Sequence, residues 1–315
     1  MYDTLQTSSS RPSGKVRVRK VLAFLALAFG ISWAGAIVFA VVGVDLGSLS
    51  GTILVVVVYM WAPAIAAILI QRWDGESIRA GCGLRRGRLQ WVGLAWLTPV
   101  GLLALTIGIG IVLPDVSFTT DYGAFLRGLG LPEEQVEASL AVLEGLPVPP
   151  VVFLVGQGLV AGLTINAVAA LGEELGWRGL FLRELSPLGF WRLSLLTGAV
   201  WDIWHAPLIV QGHNFPDAPV AGIVVMTGWT VAASPLFTYL TVRAKSVLAA
   251  TLLHGSFNAV ASLSLVYLTG AGALLVGPVG IAGIGAGLLA TAVCVVHDRY
   301  VAVDKVTLGG SLEPW

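Results

Sequence analysis

The sequence predicts an all-α fold, a polytopic helical membrane protein of about eight transmembrane helices with both termini cytoplasmic. Composition is the first observation behind this: 56% of the 315 residues are hydrophobic and only 11% are charged, and the mean hydropathy of +0.86 lies far above that of a soluble domain. The second is segment length. A membrane span needs about 20 mostly apolar residues, and windows of that length fall at 21–43, 52–71, 91–113, 150–172, 193–211, 219–241, 246–268 and 271–296. The third is the placement of the 18 Lys and Arg residues, of which only Arg127 falls on the exterior side. The runs are continuous, where a transmembrane barrel shows short alternating segments.

Taken in order, residues 1–20 form a basic amino terminus (Arg11, Lys15, Arg17, Arg19, Lys20) expected to be disordered and cytoplasmic. This basic stretch ahead of span 1 is also what a signal peptide shows, but the apolar run is longer than a typical signal core. Spans 2 and 3 are joined by an Arg-rich cytoplasmic turn (Arg72, Arg79, Arg85, Arg86, Arg88) that holds Cys82. With Cys294 the only other cysteine, neither a disulfide nor a thiolate metal site is indicated, and Cys82 reads as an idle thiol. The long exterior segment, about 114–149, carries Asp115, Asp121, Glu133, Glu134, Glu137 and Glu144. Residues 21–296 then form one eight-span domain with its motif core at 150–268, and 297–315 are a cytoplasmic tail. Trp73, Trp91 and Trp191 fall near span ends, as membrane aromatic belts do.

Three stretches break the apolar pattern. LGEELGWRGLF (171–181) ends span 4, WDIWH (201–205) lies in span 5 and HGSFN (254–258) in span 7. Ionisable groups inside a membrane are costly and mark a pathway or site. On a helix, Glu174 and Arg178 are four apart and face one another, whereas Glu173 is turned about 100° away and stays free. His254 and Asn258 share a helical face. Counting at 1.5 Å per residue, His254 lies roughly 12 Å and His205 roughly 18 Å from the cytoplasmic ends of their spans, so the site is expected to face the cytoplasm. The plainer readings are a solvated helix end for Glu173 and Glu174 and packing roles for the histidines. Two histidines, an asparagine and an unpaired glutamate at overlapping depth favour function.

These residues resemble a known family. EExxxR (Glu173, Glu174, Arg178), an aromatic-xxx-H pattern (Trp201 to His205) and HxxxN (His254 to Asn258), in that order on successive helices, look like the CAAX protease and bacteriocin-processing family. This is the CPBP or abortive-infection type of intramembrane protease, which includes type II CAAX prenyl endopeptidases. Trp201 stands where Phe is commoner, a change expected to affect packing beside His205 more than chemistry.

The resemblance implies peptide-bond hydrolysis in a cytoplasm-facing cavity within the bilayer. Glu173 is then the general base, with His205 holding the water and helping the proton reach the leaving amine, and His254 and Asn258 donate to the oxyanion. Glu174 and Arg178 support the helix end. The expected substrate is a membrane-tethered peptide or protein, lipidated or not, in a prokaryotic plasma membrane, with no nucleic acid and no cofactor. Zinc on Glu173, His205 and His254 is the alternative chemistry. It is disfavoured because the ligands lack a compact two-histidine helix and the only nameable supporting partner is Asp202, a candidate to orient His205.

His213 is expected to be solvated, His297 to begin the tail, and Arg183, Glu184 and Arg192 to form a surface connection without a chemical role. HExxH, GxGD and GxSG motifs are absent from the sequence. A proton-coupled transporter using Glu173, His205 and His254 is the competing class; repeat symmetry and broken helices would mark it, and the sequence signals neither. An idle membrane scaffold is a third.

Overall fold

A computed structural model describes residues 14–315. Among the described residues, seven helices are long and apolar enough to cross a membrane: Val18–Val42, Leu49–Trp73, Leu89–Gly110, Phe190–Val210, Pro219–Ala244, Val247–Tyr267 and Ala273–Tyr300. Pro150–Leu163 and Ile165–Leu188 together make one more, bent by 52°. Numbered in chain order these are spans 1 to 8, with the bent pair as span 4. They bear out an all-α polytopic membrane protein and match the predicted windows closely.

Local chemistry sets the span ends. Span 1 stops where Gly43 adopts a left-handed conformation (φ 70°). The Ser48 hydroxyl caps span 2 by accepting from the Gly51 N–H at 3.0 Å. Pro149 and Pro150 open span 4, where a missing N–H costs nothing. The break in span 4 falls at Thr164, which leaves helical geometry (φ −118°, ψ −102°) while its hydroxyl donates to the Val160 carbonyl at 2.9 Å. Beyond the break the chain continues through a wide π-type turn at Leu175–Phe181. Such turns recur at functional sites.

Spans 5 and 6 pack along their length, and span 7 is enclosed by spans 3, 4 and 6. The outer apolar side chains, such as Val41, Val220 and Val224, are exposed and form a surface for lipid. The long loop between spans 3 and 4 folds into two short helices, Tyr122–Gly128 and Glu133–Glu144. A two-residue antiparallel pairing, Ser117 with Thr269 and Phe118 with Leu268, ties this loop to the end of span 7.

The boundary expectations need three corrections. Most of the predicted disordered segment 1–20 lies outside the described residues, but Val18–Lys20 are helical. An ion network holds them there. Arg17 bridges Glu76 and Glu184, and the buried Lys20 ammonium reaches Asp74 at 2.8 Å and Glu76 at 3.2 Å. Span 8 runs on through His297 to Tyr300, and His297 Nδ1 meets the Tyr239 hydroxyl at 2.6 Å, so it does not begin a tail. The tail itself is packed: Asp298 accepts from the Val306 and Thr307 N–H groups at 2.9 Å, and the Leu312 N–H reaches the Ser186 carbonyl. Arg183 and Glu184 join the same network, Arg183 Nη1 lying 3.1 Å from Glu76. Cys82 is fully buried, and burial pushes its thiol up to about 12, so it is sealed from modification.

Candidate functional site

Two carboxylates leave span 4 side by side and find different partners. Glu174 Oε1 accepts from Arg178 Nη1 at 3.2 Å and from His254 Nδ1 at 2.8 Å. Glu173 is turned away, as the helical spacing predicts, and its Oε2 accepts from the Trp201 indole N–H at 2.8 Å. Glu173, Glu174, Arg178, His205 and His254 are all buried. The Arg178 guanidinium stacks 4.2 Å from the Trp201 ring and 4.6 Å from Phe237, so cation–π contacts replace part of the water it has lost.

Each histidine is fixed through one nitrogen. His205 Nδ1 lies 2.8 Å from the Trp201 carbonyl, which can only accept, so Nδ1 carries a proton and Nε2 is left for the cavity. His254 Nδ1 meets a carboxylate already paired with arginine, so it too donates, leaving its own Nε2 free. Trp201 stands between the two imidazoles, with ring centroids 5.6 Å from His205 and 5.5 Å from His254. Asn258, four residues beyond His254, lines the same cavity. Span 7 reaches span 4 closely because residue 255 is glycine: a Cβ there would sit 2.9 Å from the Ala167 nitrogen. Asn166 Nδ2 then donates to the Gly255 carbonyl at 3.2 Å.

The cavity has a volume of about 380 Å³ and is lined by Glu173, His205, His254 and Asn258 together with Tyr59, Asn166 and Trp201. Leu46, His213, Asn214, Pro278 and Val279 line it as well. Those five belong to the loops after spans 1, 5 and 7, and all three loops are on the face opposite the amino terminus.

Asp202 does not orient His205. Its Oδ2 accepts from the Thr227 hydroxyl at 2.5 Å instead, since position 202 faces span 6. His213, expected to be solvated, is half-buried in the cavity lining, and burial lowers its affinity for a proton. Three contributors went unread in the sequence. The Trp201 N–H was visible as the departure from Phe but was assigned to packing. Tyr59, whose hydroxyl donates to the Trp204 carbonyl, and Asn166 belong to no motif.

Among the described residues, no three of His, Cys, Asp and Glu are grouped so as to hold a metal ion. The supporting partners a metal-binding histidine needs are nonetheless present, as the Trp201 carbonyl and Glu174.

Residues 155–260 match a family model described as type II CAAX prenyl endopeptidase Rce1-like. Over 54 residues the chain is 39% identical to the protein named CAAX prenyl protease 2 of Methanococcus maripaludis. That match covers 17% of this chain and 20% of the relative, so the two are comparable over about a fifth of the relative's length. The resemblance read from the three motifs is borne out, and the matched segment holds every residue from Glu173 to Asn258.

Proposed function

We propose that the chain, whose segment 155–260 matches the type II CAAX prenyl endopeptidase family, is an intramembrane endopeptidase that cleaves membrane-associated polypeptides with a glutamate-activated water. The observation that carries this is the division of labour between adjacent carboxylates. Glu174 is consumed by Arg178 and His254, while Glu173 keeps one oxygen for the cavity.

A water between Glu173 Oε1 and His205 Nε2 meets two acceptors. Its hydrogens point at them and its lone pair at the scissile carbonyl. As the water attacks, its proton passes to Glu173 and the carbonyl oxygen becomes an oxyanion. Donors for that oxyanion are the Asn258 amide and His254 Nε2, and removing one such donor costs about 2.7–4 kcal/mol in comparable hydrolases. Because His254 Nδ1 already donates to Glu174, its Nε2 donates only in the doubly protonated ring. The charges agree: two carboxylates, one guanidinium and one imidazolium sum to a neutral buried cluster, the condition a low-dielectric site demands. When the tetrahedral adduct collapses, the C–N bond breaks and the proton on Glu173 goes to the leaving amine.

Glu173→Gln keeps shape and removes the base. In nanodiscs its proteolysis falls by about a hundredfold or more with folding intact; normal cleavage by this variant would rule out Glu173 as the base. The same preparation of unsubstituted protein carries no stoichiometric zinc by elemental analysis and keeps its activity after prolonged chelation. Near-equimolar zinc, lost and regained together with activity, would instead make Glu173 a ligand.

The break in span 4 favours one competing reading, since discontinuous helices are common in transporters. Proton flux into liposomes carrying the unsubstituted protein, lost in the Glu173→Gln protein, would support it.

A further inference from the structure

We propose that Asn166 is a substrate-binding residue of the cavity, its side-chain amide pairing with the backbone of an extended substrate about three residues from the bond that is cut. This rests on the endopeptidase reading.

Placement on span 4 comes first. Asn166 and Glu173 lie seven residues apart within one regular helical stretch, Ile165–Glu174. Seven residues are two turns to within about 20°, so both side chains leave the same face of the helix, about 10 Å apart along its axis. Both line the cavity, and the span 4 residue that lines it between them is Ala169, a methyl group with no polar contact to offer a chain.

Hydrogen-bonding capacity comes next. A side-chain amide has two N–H donors and an oxygen that accepts. One donor of Asn166 goes to the Gly255 carbonyl at 3.2 Å, which fixes the orientation of the amide because a carbonyl can only accept. The other N–H and Oδ1 have no hydrogen-bond partner among the described residues, and the side chain is half-buried, not sealed. Asn166 therefore holds a spare donor and a spare acceptor on the cavity wall.

The reaction has a use for such a pair. A helical substrate ties up its carbonyls in its own hydrogen bonds, so the segment to be cut must be extended before water can attack it. In a cavity of low dielectric, each backbone group freed in this way costs free energy until it is paired. The walls at Val55, Leu208, Met226 and Phe257 offer no partners. An extended chain advances ~3.3 Å per residue, so when its scissile carbonyl is at the water held by Glu173, a residue about three positions away is level with Asn166. In an extended chain the N–H and C=O of one residue point to the same side. A carboxamide answers both at once, and it does so without reading the side chain that the substrate carries there.

A role confined to tying span 4 to span 7 through Gly255 gives a different outcome, and the substrate separates the two. Membrane-anchored fluorogenic peptides of randomised sequence are screened with the protein in nanodiscs. One that is cut by the unsubstituted protein and not by Glu173→Gln is remade with single backbone amides replaced by esters, at the second to fourth residues on either side of the cut. An ester lacks the N–H that Asn166 Oδ1 accepts. One ester, at about the third residue on one side, lowers kcat/KM by about threefold to tenfold with the unsubstituted protein, the usual net worth of a hydrogen bond, and makes no difference with Asn166→Ala. Each ratio compares two substrates on one preparation, so a smaller folded fraction cancels; if Asn166→Ala does not accumulate, Asn166→Ser is read in the same way. An ester penalty of equal size in both proteins, or none at any position with the unsubstituted protein, overturns the role of Asn166 and leaves the endopeptidase reading standing. A library of which no member is cut in this way sinks that reading, and the proposal with it.

Discussion

Trp201 does more than its place in an aromatic-xxx-H pattern suggests. Its N–H holds Glu173, its carbonyl holds His205 and its ring carries Arg178. Only the first depends on its being tryptophan. Trp201→Phe leaves a buried carboxylate oxygen without a donor, which costs about 1–3 kcal/mol, and frees Glu173 to rotate away from the water. The expected result is a lower melting temperature and lower turnover. In a Glu173→Gln background the same substitution costs much less stability, and equal costs in both backgrounds would show that the indole acts by packing alone. Glu174→Gln is different, for it loosens Arg178 and His254 together and lowers folded yield as well as activity. Glu173, Glu174, Arg178, His254 and Asn258 were legible because ionisable and amide groups stand out in an apolar run. A hydrogen bond between residues 173 and 201, or between Asn166 and Gly255, has no spacing to announce it, since neighbouring helices meet at positions unrelated in sequence.

At the scale of elements, hydropathy located every span but misjudged the fourth. Its predicted end at 172 is where the charges begin, yet the helix runs on to Leu188. It can do so because residues 173–182 are enclosed by protein and not by lipid. The bend at Thr164 was equally invisible, since threonine is ordinary in membrane helices and its hydroxyl bond to the Val160 carbonyl fits a straight helix as well as a bent one. The amino-terminal end of span 1 is anchored by an ion network that composition reported only as positive charge. Burial pushes the Glu76 carboxyl up, but the hydrogen bond from Arg17 and the charge of Lys20 outweigh it and hold the group at about 2, below its ordinary 4.5. A carboxylate depressed in this way stabilises the fold fully above pH 4.5, and that contribution is lost as pH falls toward 2. Thermal melting in detergent should drop across this window, and Glu76→Gln should flatten the drop. An unchanged profile would mean that the network contributes nothing to stability.

For the whole molecule, the topology implied by the charge asymmetry predicts that tags at both termini are protected in intact cells and that a tag beside Glu137 is cleaved by added protease. Accessible termini would invert the placement of every loop. The order in which the site's parts enter the bilayer matters as well. A lone charge at the centre of an inserting helix costs about 2.5–3.5 kcal/mol. Glu174 and Arg178 arrive together on one helix, four residues apart, and neutralise each other before any later span exists. Glu173 arrives with them but waits for Trp201 in the next span, and the cluster as a whole waits for His254 two spans later. During biogenesis, then, the carboxylate proposed to react is the one left unassisted longest, and the growing protein passes through a stage in which that group is its chief obstacle to staying in the membrane.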